Sequence, residues 1–192
     1  QKIVQPFTTE QIEALLLLCG DNTFLGIRNT AIILTFLDTG LRLSELANIQ
    51  LSDIDFDRGI IKVMGKGARE RVVGIGKRTQ KALLRYLLMR NDQYPCLWVT
   101  EERKPLQREG IQIMLRRLGR RAGITGARPS PHTFRHAFGT QALRNKADIR
   151  QVQSLLGHST LKTTLTYVAT VPSEDAVKSH RHFSPVDCMS IK

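Results

Sequence analysis

The sequence predicts a mainly α-helical fold with a small three-stranded antiparallel β-sheet at one edge, and three observations predict it. Apolar residues recur at helical spacing over most of the 192 residues. One block, Ile54 to Ile75 (IDFDRGIIKVMGKGARERVVGI), alternates instead. Gly40, Gly76, Pro95, the segment from Gly123 to Pro131, and Pro172 fall between the periodic stretches, where helix-breaking residues belong.

The elements follow in order. Thr8 opens T-x-x-Q, a reciprocal capping pattern, ahead of Ile12, Leu15, Leu16 and Cys19 at helical spacing. A second helix is expected from about Leu25 to Leu37, stopped by Gly40, and a short third one from Leu43 to Ile49. The alternating block reads as a meander of three strands, with Gly65 to Gly67 (GKG) in a tight connection. Helical periodicity then returns over Arg78 to Arg90, Gln107 to Ala122, His132 to Arg144, Ile149 to Leu156 and Leu161 to Val168.

Charge narrows the partner class. Lysine and arginine number 29 against 17 acidic residues, a net charge of +12, which favours a polyanion and above all nucleic acid. No apolar run has the length of a membrane span, and no basic-then-apolar leader precedes the first helix, so no membrane partner and a cytoplasmic location are expected. Cys19, Cys96 and Cys188 are odd in number, far apart and without CxxC spacing, which fits reduced thiols. The basic residues gather in two groups. One comprises Lys62, Lys66, Arg69, Arg71, Lys77, Arg78, Lys81 and Arg85; the other Arg116, Arg117, Arg120, Arg121 and Arg128. Each group alone also fits a solvated helix face; together they suggest a wall that holds phosphates without reading sequence.

Several segments carry residues suited to chemistry. In HTFRH, His132 and Arg135 stand three apart on one helix face, with Pro131 in the first turn, where free N–H groups favour an anion. His132 and His136 have the spacing of a zinc-binding helix, but Thr133 replaces the required glutamate and Arg135 would repel a cation. In TGLRLSE, Glu45 follows Arg42 by three residues and can fix its guanidinium for two phosphate oxygens. Lys66 lies between two glycines that allow close approach to another backbone. Tyr167, in LGHSTLKTTLTYVAT, taken alone is an ordinary amphipathic packing residue.

Taken as an ordered set, these residues resemble the tyrosine recombinase, or phage integrase, family. The pattern is carried by Arg42 in TGLRLSE, Lys66 in VMGKGARERVV, His132 and Arg135 in HTFRH, His158 in LGH, and Tyr167 nine residues beyond it. The resemblance implies the family's catalytic-domain fold over residues 1–171, and a separate C-terminal tail, 172–192, that docks on a neighbouring protomer. It also implies an N-terminal core-binding domain that this chain lacks. Because the chain begins with Gln1, it is expected to be part of a longer protein, a homo-tetramer on paired sites when whole and a monomer alone.

The resemblance further implies that Tyr167 is the nucleophile on a DNA phosphodiester, giving a 3′-phosphotyrosine, with Arg42, Arg135, His132 and His158 around the phosphate. Lys66 is then the acid for the leaving 5′ oxygen. Glu45 and His136 act in support, and Lys62, Arg69, Arg71, Arg116, Arg117, Arg120 and Arg121 contact DNA. No metal, ATP or other cofactor is implied. The HRHFSPVD tail loosely resembles integrases of phages and other mobile elements, and the reading leans there. A recombinase that resolves chromosome dimers, a type IB topoisomerase-like enzyme and a catalytically silent DNA-binding module are the alternatives.

Overall fold

The computed structural model describes residues 6–65, 70–125, 129–157 and 164. Helix α1 (Thr9–Cys19) starts at the expected box: the Thr8 N–H donates to Gln11 Oε1 at 3.1 Å and the Gln11 N–H to Thr8 Oγ1 at 3.3 Å. Helix α2 (Phe24–Thr39) begins a little earlier than expected because Thr23 Oγ1 accepts from the Gly26 N–H, and it ends at Gly40 in the left-handed conformation, φ +61°. Helix α3 (Leu43–Ala47) is shorter than its apolar pattern suggested. Beyond it the Ile49 carbonyl accepts from the Leu97 N–H, and Gln50 bridges Cys96, so the backbone leaves helical pairing for a cross-chain one.

A single 3-10 turn (Leu51–Asp53) leads into the meander of β1 (Ile54–Asp55), β2 (Ile60–Met64) and β3 (Glu70–Gly74), antiparallel in that spatial order. Ile61 opposes Val73 and Val63 opposes Arg71, so these four side chains share the inner face while Lys62, Met64 and Val72 face outward. Then come α4 (Lys77–Leu88), α5 (Arg108–Arg121), α6 (Pro131–Arg144) and α7 (Ile149–Leu156). Ser130 caps α6 with Pro131 at its first position, and Asp148 caps α7 through a box with Gln151.

The main core joins α1, α2, α4, α5, the sheet and the start of α6, with Ile32, Ile33, Phe36, Leu46, Ile61, Leu83 and Phe134 fully buried. Its least predictable part is the irregular segment between α4 and α5. There Trp98 is buried and donates Nε1–H to the Leu46 carbonyl at 2.9 Å, while the Val99 N–H donates to the Tyr86 hydroxyl at 3.0 Å and its carbonyl accepts from Arg28. A smaller cluster, Val152 and Leu156 with Phe138, Ala142 and Leu143, seats α7 on α6. No helix among the described residues is long and apolar enough to cross a membrane.

Candidate active site

The site is built where the end of α2, the start of α3, the inner face of β3, the helix α6 and the end of α7 converge. Gly40 makes this possible. Besides its left-handed φ, a methyl group on it would stand 2.5 Å from Phe138 Cδ1 and 2.7 Å from Leu156 Cδ2, so only glycine lets the TGLR backbone lie against α6 and α7. From there the Gly40 carbonyl accepts from Arg135 Nη1 at 2.6 Å. Arg135 Nη2 donates to the Leu156 carbonyl, also at 2.6 Å. The Arg135 guanidinium is thus buried and aimed by two main-chain oxygens supplied from opposite sides.

Arg42 arrives at the same place from the other direction. It is the N-cap residue of α3, and its N–H and Nη1 both donate to Glu45, each at 2.8 Å. Nη2 reaches the Gly157 carbonyl at 3.4 Å. Its side chain remains 40% exposed, whereas that of Glu45 is 4% exposed. Two arginines far apart in sequence therefore reach adjacent carbonyls at the end of α7, Arg135 at Leu156 and Arg42 at Gly157, the first buried and the second open to an incoming anion. His132 is exposed in the first turn of α6, on the side of the helix that Arg135 shares, while His136 is buried one turn further on.

Glu45 carries more than the expected partner. Arg71 donates Nη1 to Oε1 at 2.8 Å and Nη2 to Oε2 at 2.9 Å, a two-pronged pair, and its Nε donates to the Leu155 carbonyl at 3.2 Å. Burial alone would push the Glu45 carboxyl up. Hydrogen bonds from Arg71 and from the Arg42 N–H, with the charge of Arg71 and the Arg42 guanidinium, outweigh it and hold the group at about 2. Arg71 was expected on the DNA-facing wall; instead it points inward in phase with Val73 and spends its guanidinium inside the protein. The alternation of β3 was the signal for this, since Val73 and Ile75 are buried and Arg71 lies two and four residues before them, on the same face.

The other described members of the two basic groups stay outward. Lys62 is exposed on β2; Lys77, Arg78, Lys81 and Arg85 are exposed on α4; Arg116, Arg117, Arg120 and Arg121 are exposed on α5. Lys66, Arg69, Arg128, His158 and Tyr167, the helix expected over Leu161 to Val168, and the tail 172–192 with Cys188 lie outside the described residues, apart from Thr164, which is helical and buried. Gly157, which precedes His158, closes α7 at φ +63°. Of the described cysteines, Cys19 and Cys96 are free, and burial pushes the Cys19 thiol up to about 11, the opposite of an activated nucleophile.

Three similarities to known proteins bear on this geometry. The tyrosine recombinase XerD of Halalkalibacterium halodurans is 34% identical over 96% of this chain, which covers 63% of that protein. The crystal structure of XerA recombinase superposes with a TM-score of 0.79 at 29% identity, over 96% of this chain and 65% of that one. The Tn1549 transposon integrase, in a complex with circular intermediate DNA, shares the fold with a TM-score of 0.78 at 22% identity, over 95% of this chain and 67% of that one. The chain thus spans a little under two thirds of the XerD relatives that it matches over nearly its whole length. The sequence profile described as "Phage integrase family" matches residues 5–174, nearly the whole chain, and takes in both arginine segments and every motif around them: the chain belongs to the phage integrase family.

Proposed function

We propose that this chain is the catalytic part of a site-specific recombinase that cuts and rejoins duplex DNA through a 3′-phosphotyrosine on Tyr167. The observation that carries the reading is the convergence of Arg42 and Arg135 on the adjacent carbonyls of Gly157 and Leu156, immediately before His158. Two guanidiniums placed this way hold the two nonbridging oxygens of one phosphate and take up the charge that grows on them as phosphorus becomes five-coordinate.

A tyrosine hydroxyl has a pKa near 10, so roughly one in a thousand is phenolate at neutral pH and the attack needs this help. The Tyr167 oxygen forms a bond to phosphorus while the bond from phosphorus to the 5′ oxygen breaks. His132 takes the tyrosine proton and Lys66 gives one to the leaving oxygen. Attack by a 5′ hydroxyl of another strand reverses the step, and the phosphotyrosine conserves the bond energy, so no ATP enters. The exposed arginines of α5 and lysines and arginines of α4 supply sequence-independent contacts to duplex DNA. The relatives named tyrosine recombinase support the same activity, and the +12 charge supports the same partner.

The reading extends to a tetramer on paired sites, with the tail 172–192 docking in trans. It also extends to action on DNA in the cytoplasm, and to a phage or other mobile element as the biological setting, the last on the HRHFSPVD segment. The activity is tested with nicked duplexes of randomised sequence in EDTA. The chain is expected to form a denaturation-resistant DNA adduct, and Tyr167→Phe to bind DNA and form none. An adduct in the phenylalanine variant, or none without a divalent metal, refutes the reading.

A further inference from the structure

The inward turn of Arg71 gives it contacts that no other described side chain of this site combines. Its fork closes on both oxygens of Glu45, and its Nε holds the Leu155 carbonyl. The guanidinium also lies against Gly157, where a methyl group would stand 3.2 Å from Nε and 3.3 Å from Cδ and Cζ. Glu45 in turn holds Arg42 by its N–H and by Nη1. The carbonyls of Leu156 and Gly157, next in line after Leu155, receive Arg135 and Arg42. One side chain therefore ties β3 to the start of α3, where Glu45 holds Arg42, and to the end of α7, whose last carbonyls receive both arginines.

We propose that Arg71 is a positioning residue for strand cleavage: without meeting DNA, it fixes Glu45 and the end of α7, and thereby the reach of Arg42 and its spacing from Arg135. This rests on the functional reading above. Arg42 is long, half-exposed and held chiefly by Glu45, so its aim is only as good as the carboxylate's own. A carboxylate this buried needs a full complement of donors, and a two-pronged guanidinium supplies what a lysine, a single point charge, cannot.

The test compares the 192-residue chain with Arg71→Lys and Arg71→Gln on a nicked duplex whose sequence is the one captured by the unsubstituted chain. Adduct formation is followed in single turnover at saturating DNA, on the natural phosphate and on a methylphosphonate at the scissile position, and affinity is measured as a function of salt. Both variants are expected to react about 10²-fold more slowly, the scale of removing one preorganised donor. The salt slope should be unchanged. On the methylphosphonate, whose uncharged phosphorus centre asks less of Arg42, the defect should shrink. A salt slope lower by about 0.9 identifies a direct bond from Arg71 to phosphate and overturns the proposal. So does an equal defect on both substrates, which marks general structural damage, or a full rate in Arg71→Lys, which also answers should Arg71→Gln fail to fold. If the unsubstituted chain forms no adduct, the functional reading falls and takes this inference with it.

Discussion

At the scale of single residues, one buried carboxylate holds two of the site's arginines. Glu45 is buried and accepts four hydrogen bonds from Arg42 and Arg71. Because its folded value, about 2, lies below the ordinary 4.5, its contribution to stability is present above pH 4.5 and is lost as pH falls through 2. Urea unfolding across this window should therefore show the unsubstituted chain losing stability more steeply than Glu45→Gln. At neutral pH that variant should be the less stable by roughly 3 kcal/mol, the lower end for breaking a buried pair. Parallel pH curves would show that Glu45 is not held ionised in the folded chain.

At the scale of elements, the site depends on how closely α2's end meets α6 and α7. Gly40→Ala puts a side chain into a left-handed residue, costing about 1–2 kcal/mol from the backbone alone, and forces Phe138 and Leu156 apart. The expected result is a melting temperature lower by several degrees, at about 2–4 °C per kcal/mol, together with slowed adduct formation, since Arg135 hangs between the Gly40 and Leu156 carbonyls. An unchanged melting temperature would contradict this packing. Element boundaries were legible wherever a local device sets them, as with Asp148 and Gly157 around α7 or Thr8 before α1. They were not legible where a distant partner decides. Helix α3 stops early because Leu97 claims the Ile49 carbonyl, and nothing local to Trp98 announces that its indole will reach Leu46. Arg71 falls between these cases: its strand alternation was readable, but the bias of a basic neighbourhood toward a surface role concealed it.

At the scale of the whole molecule, two helices carry rows of cations on outward faces, while at the site one arginine is buried and another is half-exposed. Arg116, Arg117, Arg120 and Arg121 are all exposed on α5, and α4 presents Lys77, Arg78, Lys81 and Arg85. Replacing Arg116, Arg117, Arg120 and Arg121 with glutamine should weaken binding to all duplexes alike. The salt slope should fall by about 0.9 for each phosphate that is no longer neutralised, with little effect on the cleavage rate at saturating DNA. An unaltered slope would place the α5 face away from DNA.

That Tyr167 attacks a phosphodiester held by Arg42 and Arg135 is tested most directly by mapping the covalent bond. After the chain is trapped on its nicked duplex in EDTA, and the DNA and protein are digested with nuclease and trypsin, the nucleotide should be found on the peptide running from Thr163 to Lys178, in which Tyr167 is the sole tyrosine. Fragmentation should place it on that phenolic oxygen through a 3′ phosphate. A nucleotide on any other residue, or one joined through a 5′ phosphate, would contradict this chemistry.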